Sequence, residues 1–225
     1  MASQKAALGS PLPYGEFLAN GLNNEDPLPP NHPTIGYRVN HTMLRIRDPA
    51  KSLHFYIELM GMRTVFAFGL GPVDAYYVGY PKTPEHRADP KKFGKETLEV
   101  LRQTEGLLEL IHVKGSEKQP EGYYQNGNDP PNLGFGHLGF TVPDVPAALQ
   151  RLKEHGVEVV KDLGEETTLD SIKVSKWENE RGVGVSVPGT DTELHHSFRE
   201  ILKNIAFIKD PDGYLIELIP QHIGI

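Results

Sequence analysis

Two stretches of the sequence have the same order of residue types, and this repeat decides the fold. Residues 40–62 read NHTMLRIRDPAKSLHFYIELMGM and residues 136–157 read GHLGFTVPDVPAALQRLKEHGV. Each runs from a histidine, His41 or His137, through alternating residues to an aspartate, and then through helically spaced apolar residues to a glycine. Alternation with period two indicates a strand, and aspartate and glycine are common helix caps. Both stretches therefore predict a strand followed by a helix.

The segments that follow the two stretches also correspond. RTVFAFG, DAYYVGY and LLELIHV in the first half, and VEVVKD, KNIAFIKD and GYLIELIP in the second, are typical of strands. Glu109 and Glu217 occupy the last strand of their halves, each between apolar residues. A repeat of roughly 100 residues is too long for a solenoid and fits two βαβββ modules. We predict an α+β fold with module 1 at about 37–115, module 2 at about 133–220 and an insertion at about 165–199.

Composition limits the class of protein. The chain has 225 residues, a net charge of −7 and no cysteine. The acidic balance disfavours nucleic acid as a partner, and the lack of cysteine excludes disulfides and thiolate metal sites. Residues 1–36 are rich in proline and predict an extended arm. Because the sequence shows neither a signal-peptide pattern nor a long apolar run, we expect a cytoplasmic protein without a membrane partner.

Four residues at matched positions of the repeat are candidate metal ligands. His41 corresponds to His137, and Glu109 corresponds to Glu217. A hydrogen-bonded core histidine and a solvent-facing glutamate are common roles for such residues, but the matched positions favour one shared role. Two imidazoles and two carboxylates suit Zn, Ni, Fe or Mn. A glutamate that leaves the metal would be well placed to act as a base.

The sequence resembles glyoxalase I (lactoylglutathione lyase) of the vicinal-oxygen-chelate superfamily, which also includes bleomycin resistance proteins and dioxygenases. The resemblance covers roughly residues 38–220, and 37–220 is taken as the domain. It is carried by HTMLRIRDPAKSLHFY, LLELIHV, NGNDPPNLGFGHLGFTVPDV and IAFIKDPDGYLIELIP. It implies half-barrel sheets around a metal site, with His41, Glu109, His137 and Glu217 as ligands. It further implies Zn²⁺, with Ni²⁺ as the alternative, and a homodimer with shared sites, although a monomer could use the same ligands.

The resemblance also implies a reaction. The enzyme would isomerise the hemithioacetal of methylglyoxal and glutathione to S-lactoylglutathione, by proton transfer through a metal-stabilised enediolate, and so detoxify methylglyoxal. Glu217 would be the main catalytic base, with Glu109 as its partner. Arg45 would bind the γ-glutamyl carboxylate and Lys161 the glycyl carboxylate, and Lys203 is a further candidate substrate contact.

Two departures from the resembled pattern leave the substrate open. Val113 and Leu133 stand where this family has an asparagine and an arginine that contact glutathione. With these two replacements, the protein could instead be a metal-dependent isomerase or lyase that acts on a substrate without glutathione. A second alternative, a ring-cleaving dioxygenase, would bind its iron through two histidines and one glutamate, and the presence of Glu109 as a fourth candidate ligand speaks against it. A non-enzymatic binding module is the third alternative, and the complete ligand set opposes it. The insertion, with its tryptophan Trp177 and the adjacent His195 and His196, either borders the site or decorates the surface.

Overall fold

The chain divides into two units, Met1–Arg38 and Val39–Ile225. The computed structural model describes residues 12–13, 18, 26–184 and 193–222. Residues 30–36 of the first unit form turns, in which the Ile35 N–H, for example, donates to the His32 carbonyl at 3.1 Å, and none of the described residues of this unit lies in a helix or strand. Much of the predicted arm lies outside the described residues, and its extended course stays a prediction.

The first half of the second unit forms a four-stranded mixed sheet. The elements of this module are β1 (His41–Ile46), α1 (Pro49–Leu53), β2 (Arg63–Gly69), β3 (Val73–Gly79) and β4 (Leu107–Val113). The strands follow the order β1–β4–β3–β2, with β1 and β4 parallel and the other pairs antiparallel. The Asp48 carboxylate caps α1 by accepting the Ala50 N–H, and Pro49 occupies the first helical position.

The helical part of module 1 differs from its prediction in two ways. The α-helix expected to run to Gly61 ends at Leu53, and residues His54–Leu59 form a π-helical turn. In this wider turn the Met60 N–H donates to the Phe55 carbonyl at 2.8 Å. Two helices also lie between β3 and β4, α2 (Pro84–Ala88) and α3 (Pro90–Glu99), each begun by a capping side chain and a proline.

The second half repeats the plan. It begins with a short hairpin of β5 (Asn128–Asp129) and β6 (Asn132–Leu133). The further elements are β7 (His137–Val142), α4 (Val145–Glu154), β8 (Val159–Lys161), α5 (Lys173–Asn179), α6 (His196–Lys203), β9 (Ala206–Lys209) and β10 (Leu215–Pro220). The last four strands form a sheet in the order β7–β10–β9–β8, in which β7 and β10 are again parallel. Two open sheets of equal order confirm the predicted α+β fold of repeated modules.

The insertion contains helical structure. The helix α5 and the beginning of α6 fall within the predicted insertion at 165–199, and residues 185–192 lie outside the described part of the chain. None of the helices in the described ranges is long and apolar enough to cross a bilayer.

One apolar core joins the two modules. It includes the fully buried residues Ile46, Leu110, Leu152, Ile208 and Ile216, which come from both sheets and from α4. On β1, Leu44 and Ile46 are buried whereas residues 41, 43 and 45 are exposed. Because alternate residues of a strand point to opposite faces, each sheet has one face in the core and one face free for a site.

A buried polar network also links the modules. The Tyr56 hydroxyl, after α1, donates to Asp210 Oδ2 at 2.8 Å, and the Asp210 Oδ1 accepts the Tyr214 N–H at 2.8 Å. Asp212 accepts the Arg47 N–H at 2.8 Å and the Ser52 hydroxyl at 3.0 Å. Burial raises the pKa of Asp210 to about 7 against the opposing effect of the Tyr56 hydrogen bond. The turn between β9 and β10 is thus fixed to module 1.

Candidate metal centre

The first histidine–glutamate pair forms across two parallel strands. Glu109 on β4 lies opposite Met43 on β1, and His41 is two residues before Met43. All three side chains therefore share the exposed face of the sheet. His41 Nε2 lies 3.3 Å from Glu109 Oε2.

The second pair has the same register. Glu217 on β10 lies opposite Gly139 on β7, and His137 is two residues before Gly139. His137 Nε2 lies 3.3 Å from Glu217 Oε2. The repeat in the sequence thus becomes a repeat in geometry, with each module presenting one imidazole nitrogen and one carboxylate oxygen side by side.

An aromatic ring flanks each pair. Tyr77 on β3 lies opposite Glu109, and Phe207 on β9 lies opposite Glu217. The Tyr77 ring meets the His41 ring edge to face at 5.2 Å between centroids, and the Phe207 ring meets the His137 ring in the same way at 5.6 Å. Neither aromatic residue was predicted from the sequence. Both lie in segments that were predicted as strands, DAYYVGY and KNIAFIKD. Their equivalence, however, depends on the antiparallel register, which the sequence does not specify.

Polar neighbours orient the first pair. The Tyr77 hydroxyl lies 3.4 Å from His41 Nε2, and burial together with its hydrogen bond to Glu109 raises the pKa of Tyr77 to about 12. Asn40 Oδ1 lies 2.7 Å from His41 Nδ1, and the Asn40 amide donates to the carbonyls of Leu101 and Thr104. A proton held on Nδ1 by Asn40 leaves the Nε2 lone pair available to a metal.

The donor atoms fit a divalent metal. Two ligand atoms about 2.0–2.2 Å from one ion at a tetrahedral angle lie about 3.3–3.6 Å apart. Both pairs, at 3.3 Å, match this spacing. Imidazole nitrogen with carboxylate oxygen is a set that suits zinc and nickel.

One chain brings the four residues together as two pairs. Among the described residues, no group of three or more histidine, aspartate and glutamate side chains is close enough to hold one ion. Each pair is therefore half of the predicted ligand set, and its completion by a second copy of the chain stays a prediction.

The three predicted substrate contacts occupy different surroundings. Arg45 is exposed on β1, on the same face as His41 and Met43. Lys161 on β8 lies opposite Phe207, which in turn lies opposite Glu217, so these three residues form one row across the sheet. However, the Lys161 ammonium is buried and donates to the carbonyls of Asp162 and Ile205 at 2.9 and 3.0 Å, and burial lowers its pKa.

Lys203 ends α6, where its ammonium lies 3.0 Å from Glu200 and 3.7 Å from Glu166. The predicted roles of Lys161 and Lys203 toward a substrate stay predictions.

His112, His195 and Trp177 have local partners. His112 is buried, with Nε2 3.0 Å from Glu117 and Nδ1 3.7 Å from Asp74, on the core face opposite Glu109. The Arg181 guanidinium lies 4.0 Å above the Trp177 ring in the insertion. Near the start of α6, His195 accepts the Ser197 N–H. These contacts account for the side chains without a metal.

The chain is similar to known proteins over most of its length. A family profile described as Glyoxalase/Bleomycin resistance protein/Dioxygenase superfamily matches residues 38–218. The lactoylglutathione lyase of Pseudomonas aeruginosa is 33% identical over 202 residues, covering 87% of this chain and 89% of that protein. The glyoxalase I of Saccharomyces cerevisiae is 31% identical over 194 residues, covering 84% of this chain and 46% of that protein. The solved structure of the trypanothione-dependent glyoxalase I of Leishmania major is 21% identical, with coverage of 82% and 87% and a TM-score of 0.48.

Proposed function

The chain belongs to the Glyoxalase/Bleomycin resistance protein/Dioxygenase superfamily and, within it, to the lactoylglutathione lyase (glyoxalase I) enzymes, and from this premise we propose its substrate and mechanism. The substrate is the hemithioacetal of methylglyoxal and glutathione, and the product is S-lactoylglutathione. The observation that carries the proposal is the repeated pair, His41 with Glu109 and His137 with Glu217, at the same register and the same 3.3 Å separation.

The four residues of the two pairs hold a divalent metal, Zn²⁺ in the first place and Ni²⁺ as the alternative. When bound, the ion supplies a Lewis acid that stabilises negative charge developing on the oxygens of the substrate. Asn40 supports this role because it fixes the tautomer of His41.

Glu217 is the principal base. It takes the proton from C1 of the hemithioacetal and returns it to C2, and Glu109 is its partner in the transfer. Gly139, opposite Glu217, leaves room beside the carboxylate, since a Cβ there would stand 3.5 Å from Glu217 Oε2. A positioned carboxylate of this kind contributes about 10²–10⁴-fold to the rate.

Arg45 binds a carboxylate of the glutathione portion, because its guanidinium is exposed on the same face as the first pair. Lys161 and Lys203 are further proposed contacts to the substrate. We expect the reaction in the cytoplasm, where glutathione keeps thiols reduced.

A homodimer completes the site in this proposal. Since one chain holds two separate pairs in its described part, the His41–Glu109 pair of one protomer faces the second pair of its partner. Two such sites then form per dimer, and neither protomer holds a complete ligand set alone.

The test is turnover by the metal-reconstituted protein. Preformed methylglyoxal–glutathione hemithioacetal is added, and thioester formation is followed by absorbance. We expect turnover that is lost on chelation and in His137→Ala, and kept in His155→Ala, whose exposed ring bonds the Arg151 carbonyl away from both pairs. A metal-loaded protein without turnover would refute the glutathione substrate and favour the alternative that Val113 and Leu133 support, an isomerase, lyase or dioxygenase for another compound.

A further inference from the structure

The two pairs have different neighbours at matched positions of the repeat. The residue before the histidine is Asn40 in module 1 and Gly136 in module 2. The residue opposite the glutamate on the antiparallel strand is Tyr77 in module 1 and Phe207 in module 2. Two polar groups therefore surround the first pair, and their counterparts beside the second pair have no polar side chain.

The Tyr77 hydroxyl acts on the carboxylate when the histidine is a ligand. It lies 3.4 Å from His41 Nε2, and Tyr77 stands directly opposite Glu109 across the antiparallel pair of β3 and β4. An Nε2 lone pair that is committed to a metal no longer accepts a hydrogen bond, so Glu109 remains as the acceptor. A hydrogen bond donated to a ligating carboxylate fixes its orientation.

Glu217 lacks such a donor at the corresponding place. Phe207 presents an aromatic ring to the second pair without a hydroxyl. Gly139 adds no side chain on the other flank of the carboxylate. The Glu217 carboxylate is therefore less restrained in direction than the Glu109 carboxylate.

We propose that the Tyr77 hydroxyl is a positioning group that holds Glu109 as the fixed ligand, and that phenylalanine at the matched position 207 leaves Glu217 as the carboxylate free to leave and take the proton. The proposal assigns different roles to two glutamates that the repeat makes equivalent. It rests on the proposed function, because it specifies which carboxylate of that site moves.

The first test measures metal binding without substrate. Co²⁺ is titrated into metal-free wild type and Tyr77→Phe in competition with a chelating indicator, and the visible absorption of the bound ion is recorded. We expect the affinity of Tyr77→Phe to fall about 10–100-fold with an altered Co²⁺ spectrum. The melting temperature of the metal-free variant should remain that of wild type. Tyr76→Phe is the matched control, because Tyr76 lies on the opposite face of β3 against the core, and it should bind Co²⁺ as wild type does.

Wild-type affinity and spectrum in Tyr77→Phe would overturn the inference. The converse variant, Phe207→Tyr, places a hydroxyl opposite Glu217. We expect it to lower kcat at least tenfold without weakening Co²⁺ binding, and an unchanged kcat would also overturn the inference.

The binding measurement separates this inference from the proposed function. A protein that binds Co²⁺ with the expected dependence on Tyr77, yet does not turn over the hemithioacetal, supports the positioning role and refutes the substrate. Wild-type turnover with no effect of Tyr77→Phe on binding refutes the positioning role alone. A wild type that binds no Co²⁺ refutes both.

Discussion

Replacing Tyr56 with phenylalanine should weaken the junction between the modules in a pH-dependent way. The Tyr56 side chain is fully buried, and its hydroxyl donates at 2.8 Å to Asp210, which is itself buried. Phenylalanine keeps the ring and removes the donor. Within the described part of the chain, the Asp210 carboxylate then retains only the backbone donors of its own turn, Asp212 and Tyr214.

The expected cost depends on the charge of Asp210. Burial raises the pKa of this carboxyl to about 7, whereas an unfolded aspartate has a pKa of about 3.9. Above pH 7 the lost hydrogen bond involved a charged acceptor, which corresponds to about 1.5–3 kcal/mol. At pH 5 Asp210 is protonated in the folded protein, and the loss falls to about 0.5–1.5 kcal/mol.

The raised pKa of Asp210 should also make the stability of the wild-type protein depend on pH. Between pH about 4 and about 7 the folded protein keeps a proton at Asp210 that the unfolded chain has released. The contribution of this group to stability therefore falls as the pH rises through that window and is lost above the folded pKa.

The assay is urea unfolding of the metal-free protein at pH 5 and pH 8, at one protein concentration. With a slope of about 2 kcal/mol per molar urea, a loss of about 2 kcal/mol lowers the midpoint at pH 8 by about 1 M. Tyr80→Phe is the control, since its hydroxyl donates to a neutral acceptor, the Met60 carbonyl, at 2.8 Å. Its effect should be the same at both pH values. An equal loss for Tyr56→Phe at pH 5 and pH 8 would refute the reasoning.

Three further predictions concern the site and the segment that leads to it. Gly127 has φ +84°, and a Cβ there would overlap the Phe135 carbonyl oxygen. Gly127→Ala should therefore lower the free energy of unfolding by at least about 1–3 kcal/mol. A urea midpoint equal to that of wild type would contradict this. Glu217→Gln should lower kcat about 10²–10⁴-fold, and near-full turnover with metal bound would show that another group is the base. Arg45→Ala should raise KM for the hemithioacetal about 10–100-fold through loss of a charged hydrogen bond of about 1.5–3 kcal/mol, and an unchanged KM would remove Arg45 from the substrate site.

The sequence predicted the parts of the fold that depend on local patterns. LLELIHV forms β4 at the predicted residues, and RTVFAFG forms β2, because alternation of apolar residues is readable along one strand. The predicted helix after Asp48 exists, but its second half is a π-helical turn. A change from i−4 to i−5 hydrogen bonding leaves little trace in apolar spacing.

The pairing of histidine with glutamate was predictable, whereas the surroundings of each pair were not. His41 and Glu109 could be matched to His137 and Glu217 because each pair recurs in the repeat. Tyr77 reaches Glu109 only through the antiparallel register of β3 with β4, which no local pattern specifies. Likewise, the two carbonyls that accept from Lys161 come from a turn and from a residue 44 positions away, so the burial of this lysine could not be inferred from GVEVVKD.

A lyase site that is assembled from one pair of each protomer is tested most directly by complementation. His41→Ala/Glu109→Ala and His137→Ala/Glu217→Ala chains, each inactive alone, are coexpressed with different affinity tags, and the mixed dimer is isolated and loaded with Zn²⁺. Each mixed dimer then holds one intact site, formed by the first pair of one chain and the second pair of the other. We expect about half of the wild-type turnover of hemithioacetal per dimer, from one working site of two. An inactive mixed dimer beside an active wild type would contradict the shared site.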